Sequence, residues 1–204
     1  MRIVQVCTML LRMKKNELKR IILELDTAGY SLTSFNELGL TFDSELASRL
    51  CDAAAEGEFS PAAADLTKHI EKKNMTMVQD EKALALGKLL VSPVVDVLFA
   101  DSARARRDWQ LYAMNRYEDV GSLGGHRDSV GSTVLVATIS GVRRFDVYRG
   151  EDESGDFSEI EQSFTVTPGS IMILDGQIDP GHSVACIESP SVSAVFDVPD
   201  LLRP

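Results

Sequence analysis

A mainly β core, built as a sandwich or barrel and preceded by a helical layer, is predicted from three observations. The chain has 204 residues, 44% of them hydrophobic and 25% charged, which suits one globular domain with a sizeable core. Its apolar period is helical up to about residue 104 and changes to two from about Asp108. Seven short segments rich in β-branched and aromatic residues then follow, separated by Gly, Pro, Asp and Ser clusters. The expected organisation is a single domain over residues 1–204, helical over about 1–104 and β over about 105–200.

The first stretch, "IVQVCTMLL", is apolar but too short to span a bilayer and has no A-x-A-like cleavage site. It reads as a packed strand or helix turn, or as a leader upstream of a second start at Met13. "KKNELKRIILELDTAGY" sets Leu18, Ile21, Ile22 and Leu25 at helical spacing and closes on Gly29, which tolerates the left-handed backbone of a helix end. In "SPAAADLTKHIEKK", Ser60 is placed as an N-cap, with Pro61 at the first helical position and lysines in the last turn. "DEKALALGKLLVSPVVDVLFADS" starts a helix at Asp80, and Pro93 should break or restart it. Arg104, Arg106 and Arg107 read as a solvated helix end, and so does His69 with its lysine neighbours.

The expected strands are "WQLYAMNRY", "STVLVATIS", "RRFDVYR", "SFTVTP", "SIMILDG", "HSVACI" and "SVSAVFDV". Between them, "GEDESGDFSEIEQ" is an acidic, exposed loop. Trp109 and Cys186 read as core residues.

Bulk charge narrows the function. A net charge of −10 argues against general affinity for nucleic acid, whose phosphates demand a basic face. The three cysteines, Cys7, Cys51 and Cys186, are odd in number and widely spaced, so neither a disulfide framework nor a zinc knuckle is indicated, and a reducing cytoplasm fits best. No membrane association is expected, and the sequence leaves the oligomeric state open.

Chemistry is concentrated around two histidines. Residues two apart on a strand share a face, so His126 and Asp128 in His126-Arg127-Asp128 point the same way if the backbone there is extended. His182 follows after two Pro-Gly turns, Pro168-Gly169 and Pro180-Gly181. Two imidazoles and one carboxylate on one face of a metal leave positions open, the arrangement of non-heme Fe(II) oxygenases. Spacing alone also allows a structural reading, with His126 capping a turn after Gly124-Gly125 and His182 packed at a strand start.

Seven pieces occur in a fixed order: Asn115-Arg116-Tyr117, Gly124-Gly125, His126-Arg127-Asp128, Gly141-Val142-Arg143-Arg144-Phe145, Val166-Thr167-Pro168-Gly169, Asp175-Gly176 and His182-Ser183-Val184. In this order the segment from about Trp109 to Val198 resembles the Fe(II)/2-oxoglutarate dioxygenase superfamily, and within it the AlkB-like branch. The resemblance implies a double-stranded β-helix core, the cupin-like jelly roll. It implies Fe(II) held by His126, Asp128 and His182, with 2-oxoglutarate and O2 as cosubstrates. Asn115 and Tyr117, two apart, would face inward together, either toward the cosubstrate's carboxylate or, for Tyr117, as core packing with one hydroxyl hydrogen bond. Retention of Asp128 implies hydroxylation rather than halogenation, since halogenating relatives carry Ala or Gly there.

The last strand departs from the branch, which reads R-x-S-x-x-F-R. Here Ser191 stands in place of the arginine that would pair the far carboxylate of 2-oxoglutarate, Ser193 keeps the serine, and Asp197 replaces the final arginine. In JmjC-type hydroxylases a lysine in a G-x-K context does this work, and Arg143 sits at the matching place in Gly141-Val142-Arg143. Arg143 and Arg144 point to opposite faces, so only one of them can look inward; Arg143 is favoured slightly, the alternative being that both are outward charges on a strand edge. Ser191 and Ser193 complete the candidate cosubstrate residues. The expected substrate is a small molecule, an amino acid or natural-product intermediate, with a protein side chain next and nucleic acid disfavoured. The competing class is a non-catalytic jelly-roll binding module.

Overall fold

The computed structural model of the chain describes residues 2–56, 59–60, 72–78, 80–128, 131–153, 155–200 and 202. Helix α1 (Arg2–Ala28) ends where Gly29 takes a φ of 79°, and Gly29 N donates to Leu25 O at 2.9 Å. A Cβ there would lie 2.5 Å from Ile178 Cγ2, so both backbone and packing require glycine. Strand β1 (Tyr30–Ser34) follows directly. It is tied back to α1 through Ser31 to Glu24 at 2.6 Å and Thr33 to Glu17 at 2.7 Å. Helix α2 (Ser44–Glu56), strand β2 (Phe59–Ser60), strand β3 (Lys72–Val78), helix α3 (Glu81–Leu98) and helix α4 (Ala103–Asp108) complete the first half.

This half is therefore not purely helical. The helix expected from Ser60 falls on residues 61–71, outside the described residues, but Ser60 itself belongs to β2 and Lys72–Val78 to β3. Strand β3 pairs antiparallel along Asn115, Arg116 and Tyr117, and that pairing overrides the weak local pattern of its sequence. Helix α3 starts where expected, with the Asp80 carboxylate accepting from Ala83 N at 2.8 Å. It does not break at Pro93. Leu90, Val91, Val94, Val95 and Leu98 are all buried on one side, and the carbonyl that Pro93 leaves unpaired, Leu89 O, accepts from Ser92 Oγ at 3.4 Å.

The second half holds strands β4 (Gln110–His126), β5 (Thr133–Tyr148), β6 (Ile160–Val166), β7 (Ser170–Asp175) and β8 (His182–Val198). Three of these are long because each joins two expected strands, or a strand and an expected turn, across a bend. The early parts of β4 and β5 and the late part of β8 pair with one another and continue through β7 to β1. The late parts of β4 and β5 pair with the early part of β8 and continue to β6. The bends fall at residues 118–121, at Gly141 and at residues 186–190, where the registers shift. Two sheets sharing three bent strands make a double-stranded β-helix, the jelly roll.

Alternation along these strands separates two cores. Met114, Leu135, Ala137, Ile139, Ala194 and Phe196 face the helices and pack with Leu50, Val91, Val94 and Val95. Trp109 joins this outer core against Phe196, 6.0 Å between ring centroids. Ala113, Tyr117, Val134, Val136, Phe145, Val147, Val184 and Val195 fill the barrel interior. Arg104 and Arg107 project from α4 into solvent with ion pairs to Asp200 and Asp108. Among the described residues no helix is long and apolar enough to cross a membrane.

Candidate metal centre

His126 ends β4 and His182 begins β8, and the two are register partners. Asp128 lies two residues past the strand, and its carboxylate reaches both rings, Oδ1 at 3.5 Å from His126 Nε2 and Oδ2 at 3.5 Å from His182 Nε2. One potential ligand atom from each of the three residues lies within 4.8 Å of the others. Both rings are oriented from behind in the same manner. His126 Nδ1 donates to Gly124 O at 2.8 Å and His182 Nδ1 to Pro180 O at 3.2 Å, since a carbonyl can only accept. Each Nε2 is thereby left as the lone-pair atom facing Asp128, the tautomer a metal ligand needs.

The electrostatics agree with the geometry. Burial pushes the His182 imidazole down to about 4, against an opposing pull from Asp128, so the ring is neutral at pH 7. Burial raises the Asp128 carboxyl, but His182 and His126 together outweigh it and hold the group below the ordinary carboxylate range. A neutral imidazole and an ionised carboxylate are the forms that bind a divalent cation. Phe145 stacks on His182 with 5.0 Å between centroids and 7° between planes, which fixes the ring from the barrel side.

Deeper in the barrel stands a second polar group. Arg143 is 1% exposed, and its Nη2 donates to Thr138 Oγ1 at 2.7 Å. Its Nε and Nη1 are buried without a hydrogen-bond partner. The guanidinium lies 5.6 Å from the centre of the Tyr117 ring. Asn115 Oδ1 and Ser193 Oγ are buried and likewise unpartnered, and Asn115 and Ser193 are register partners. Burial pushes the Arg143 guanidinium down from its usual range, while Tyr117 pulls it back up. An arginine with unfilled donors is costly in an apolar interior, and a bound anion would relieve it.

Not every sequence-predicted residue joins this group. Arg144 points outward, its side chain 55% exposed and hydrogen-bonded to Asp146 at 2.9 Å. Its place on the cosubstrate set is corrected: the bend at Gly141 turns Arg143, not Arg144, to the inside. Ser191 is fully buried, but its hydroxyl is spent on Ser140 O at 2.8 Å, which holds β8 to the bend of β5. Three further residues carried no site signal in the sequence. Thr138 looked like ordinary core, whereas Phe145 belongs to the Gly141–Phe145 motif piece and its contact with His182 is what the structure adds. Phe157 and Asp179 sit in loops. Asp179 has a left-handed φ of 46° in the turn before His182, and its carboxyl, raised by burial, accepts a hydrogen bond from the main chain of Asp128.

No protein-family model matches the chain, and no curated protein matches it in sequence. Solved structures do. A prolyl hydroxylase from Trichoplax adhaerens, in complex with a hypoxia inducible factor oxygen degradation domain peptide fragment, is similar with a TM-score of 0.60 at 12% identity, over 92% of this chain and 90% of that one. An oxidoreductase of the 2OG-Fe(II) oxygenase family from Burkholderia pseudomallei is similar at 0.52 and 13% identity, over 89% and 88%. YcfD, a ribosomal oxygenase from Escherichia coli, is similar at 0.52 and 17% identity, over 86% of this chain, which spans about half (49%) of that one. The chain shares the double-stranded β-helix fold of these structures.

Proposed function

We propose that the chain is an Fe(II)- and 2-oxoglutarate-dependent oxygenase that hydroxylates a small molecule, an amino acid or natural-product intermediate. The observation that carries this reading is the buried Arg143, with two unpartnered donor atoms, inside the same barrel that carries the His126, Asp128 and His182 cluster. Val147 pairs with His182, and Arg143 lies four residues back along that strand, about 13 Å at the usual rise.

The residues fit both groups. The nitrogen, nitrogen and oxygen donor set suits a divalent transition metal. When bound, Fe(II) and 2-oxoglutarate would activate O2, one oxygen atom of which enters the substrate and the other the succinate formed, with carbon dioxide released. The protein contributes position and environment. Gly124 O and Pro180 O hold the two imidazoles with Nε2 forward, and Phe145 keeps the His182 ring from tilting. Arg143 would pair the far carboxylate from one of its two edges, through the unpartnered Nε or the unpartnered Nη1, with Asn115, Tyr117 and Ser193 lining the same space. Val136, Val184 and Val195 keep this space poor in water, so the ion pair is stronger than it would be in solvent.

The net charge of −10 and Asp197 at the place of the branch's closing arginine favour a small substrate over nucleic acid. A protein side chain is the second reading, favoured by the peptide in the complex of the Trichoplax adhaerens hydroxylase. The deciding experiment measures succinate formation by the Fe(II)-loaded protein with 2-oxoglutarate, across amino acids and peptides. Substrate-stimulated succinate supports the oxygenase, and metal binding with no 2-oxoglutarate binding points instead to a non-catalytic module.

A further inference from the structure

The acidic segment between β5 and β6 meets the metal centre through one aromatic ring. Gly125 precedes His126 and Gly181 precedes His182, and both glycines lie against Phe157. A Cβ on Gly125 would sit 2.8 Å from Phe157 Cβ, and a Cβ on Gly181 would collide with the ring edge. The ring therefore rests on the backbone of both strand ends that carry the histidines. Its flank packs on Tyr148 with 5.5 Å between centroids, and the Arg127 guanidinium lies 5.7 Å from its centre. Arg127 is the residue between His126 and Asp128, and its Nη1 also reaches Glu151 Oε1 at 3.4 Å.

The base of this segment is fixed to the same strand ends. Tyr148 N donates to Gly181 O at 2.8 Å, the Tyr148 and Ser183 hydroxyls lie 2.9 Å apart, and Arg149 N donates to Glu159 O at 3.0 Å. The Nδ1 of each histidine is hydrogen-bonded within its own turn, to Gly124 O or Pro180 O, and Phe145 stacks on the His182 ring. Between Leu123 and His126 the β4–β8 register is irregular. Phe157 bridges the backbone of the two ends across that irregularity, and a side chain larger than hydrogen at either glycine would displace it.

We propose that Phe157 is a positioning residue for the metal centre. Seated on Gly125 and Gly181, its ring sets the spacing of His126 and His182, and through Arg127 it sets the direction of Asp128. This rests on the reading of the triad as a metal site. It assigns the segment a role that its charge alone does not, because the contacts with the glycines are apolar.

The test titrates the metal-free wild type, Phe157→Ala and Phe157→Leu with Co(II), reading affinity and the visible d–d absorption at saturation. Ile160→Ala, half-exposed at the start of β6, serves as the control with wild-type behaviour. The expected result is a loss of Co(II) affinity of about ten-fold or more in Phe157→Ala, the usual scale for residues supporting metal ligands, with a changed band shape. Phe157→Leu should fall between the two, with metal-free thermal unfolding close to wild type. Wild-type affinity and spectrum in Phe157→Ala overturn the proposal, as does a wild-type spectrum in Phe157→Leu should the alanine variant fail to fold. A wild type that binds no Co(II) removes the metal reading itself, whereas wild-type binding with unchanged variants removes only the role of Phe157.

Discussion

Arg143 and Thr138 stand five residues apart on one strand, yet they meet inside the barrel, Arg143 Nη2 donating to Thr138 Oγ1 at 2.7 Å. In a regular strand an odd separation puts two side chains on opposite faces. Here the register shifts repeatedly between Thr138 and Arg143, around a left-handed Gly141 with φ of 68°. The interior residues accordingly change from even (Val134, Val136) to odd (Phe145, Val147). The same bend passes β5 from one sheet to the other, so the topology of the jelly roll and the aim of its buried arginine have one cause.

Gly141→Ala is expected to destabilise the protein by about 2–4 kcal/mol, the sum of a left-handed alanine and an overpacked contact. A Cβ there would press on Glu188 O and lie 2.7 Å from Ser191 Cβ. Urea unfolding measures it, and a wild-type midpoint would mean that the bend relaxes without loss.

The purified protein should bind about one equivalent of Fe(II), Mn(II) or Co(II), with nitrogen and oxygen ligands suited to such ions. At a free metal concentration a hundred times Kd, stability should rise by about 2.7 kcal/mol. The double substitution His126→Ala and Asp128→Ala should abolish both effects. Metal content and thermal unfolding with and without chelator check this, and wild-type loading in the double variant would dismiss the triad.

Much of this architecture was readable because period and punctuation were strong. Gly29, Asp80 and the run of β-branched segments after Trp109 each carried a local cause that the fold kept. Strands β1 and β3 were not readable, because their strand character comes from pairing with β7 and β4 rather than from their own composition. Pro93 misled because burial of the surrounding valines outweighs one lost hydrogen bond. In the site, the spacing of His126, Asp128 and His182 was visible, and so was the rule that Arg143 and Arg144 face opposite ways. Which of them faces inward depended on a bulge at Gly141 that alternation cannot count. Phe157 and Asp179 act from loops, where no period exists to read.

Duplex DNA should bind no tighter than weak non-specific association, roughly 10⁻⁴ to 10⁻⁶ M at physiological salt. The chain's net charge is −10, and the exposed Arg104 and Arg107 are already paired with Asp200 and Asp108. Fluorescence anisotropy across a salt series reads this directly. Tight, salt-sensitive binding would move nucleic acid ahead of small molecules as the substrate class.

Arg143→Ala should weaken 2-oxoglutarate binding by roughly 2 to 5 kcal/mol, the scale of truncating one partner of a buried charge pair. Arg144→Ala should leave it unchanged, because that side chain is 55% exposed and engaged with Asp146 outside the barrel. The alanine at 143 also removes the partner of Thr138 Oγ1, so part of any stability change belongs to that bond. Anaerobic titration of the Fe(II) protein, read by metal-to-ligand absorption or calorimetry, separates affinity from stability. Arg143→Lys keeps the charge but offers no planar fork, and it should recover only part of the loss if two nitrogens grip the carboxylate together. Binding unaffected by Arg143→Ala would mean that the unpartnered Nε and Nη1 serve no anion, and the dicarboxylate reading of the barrel would fall with it.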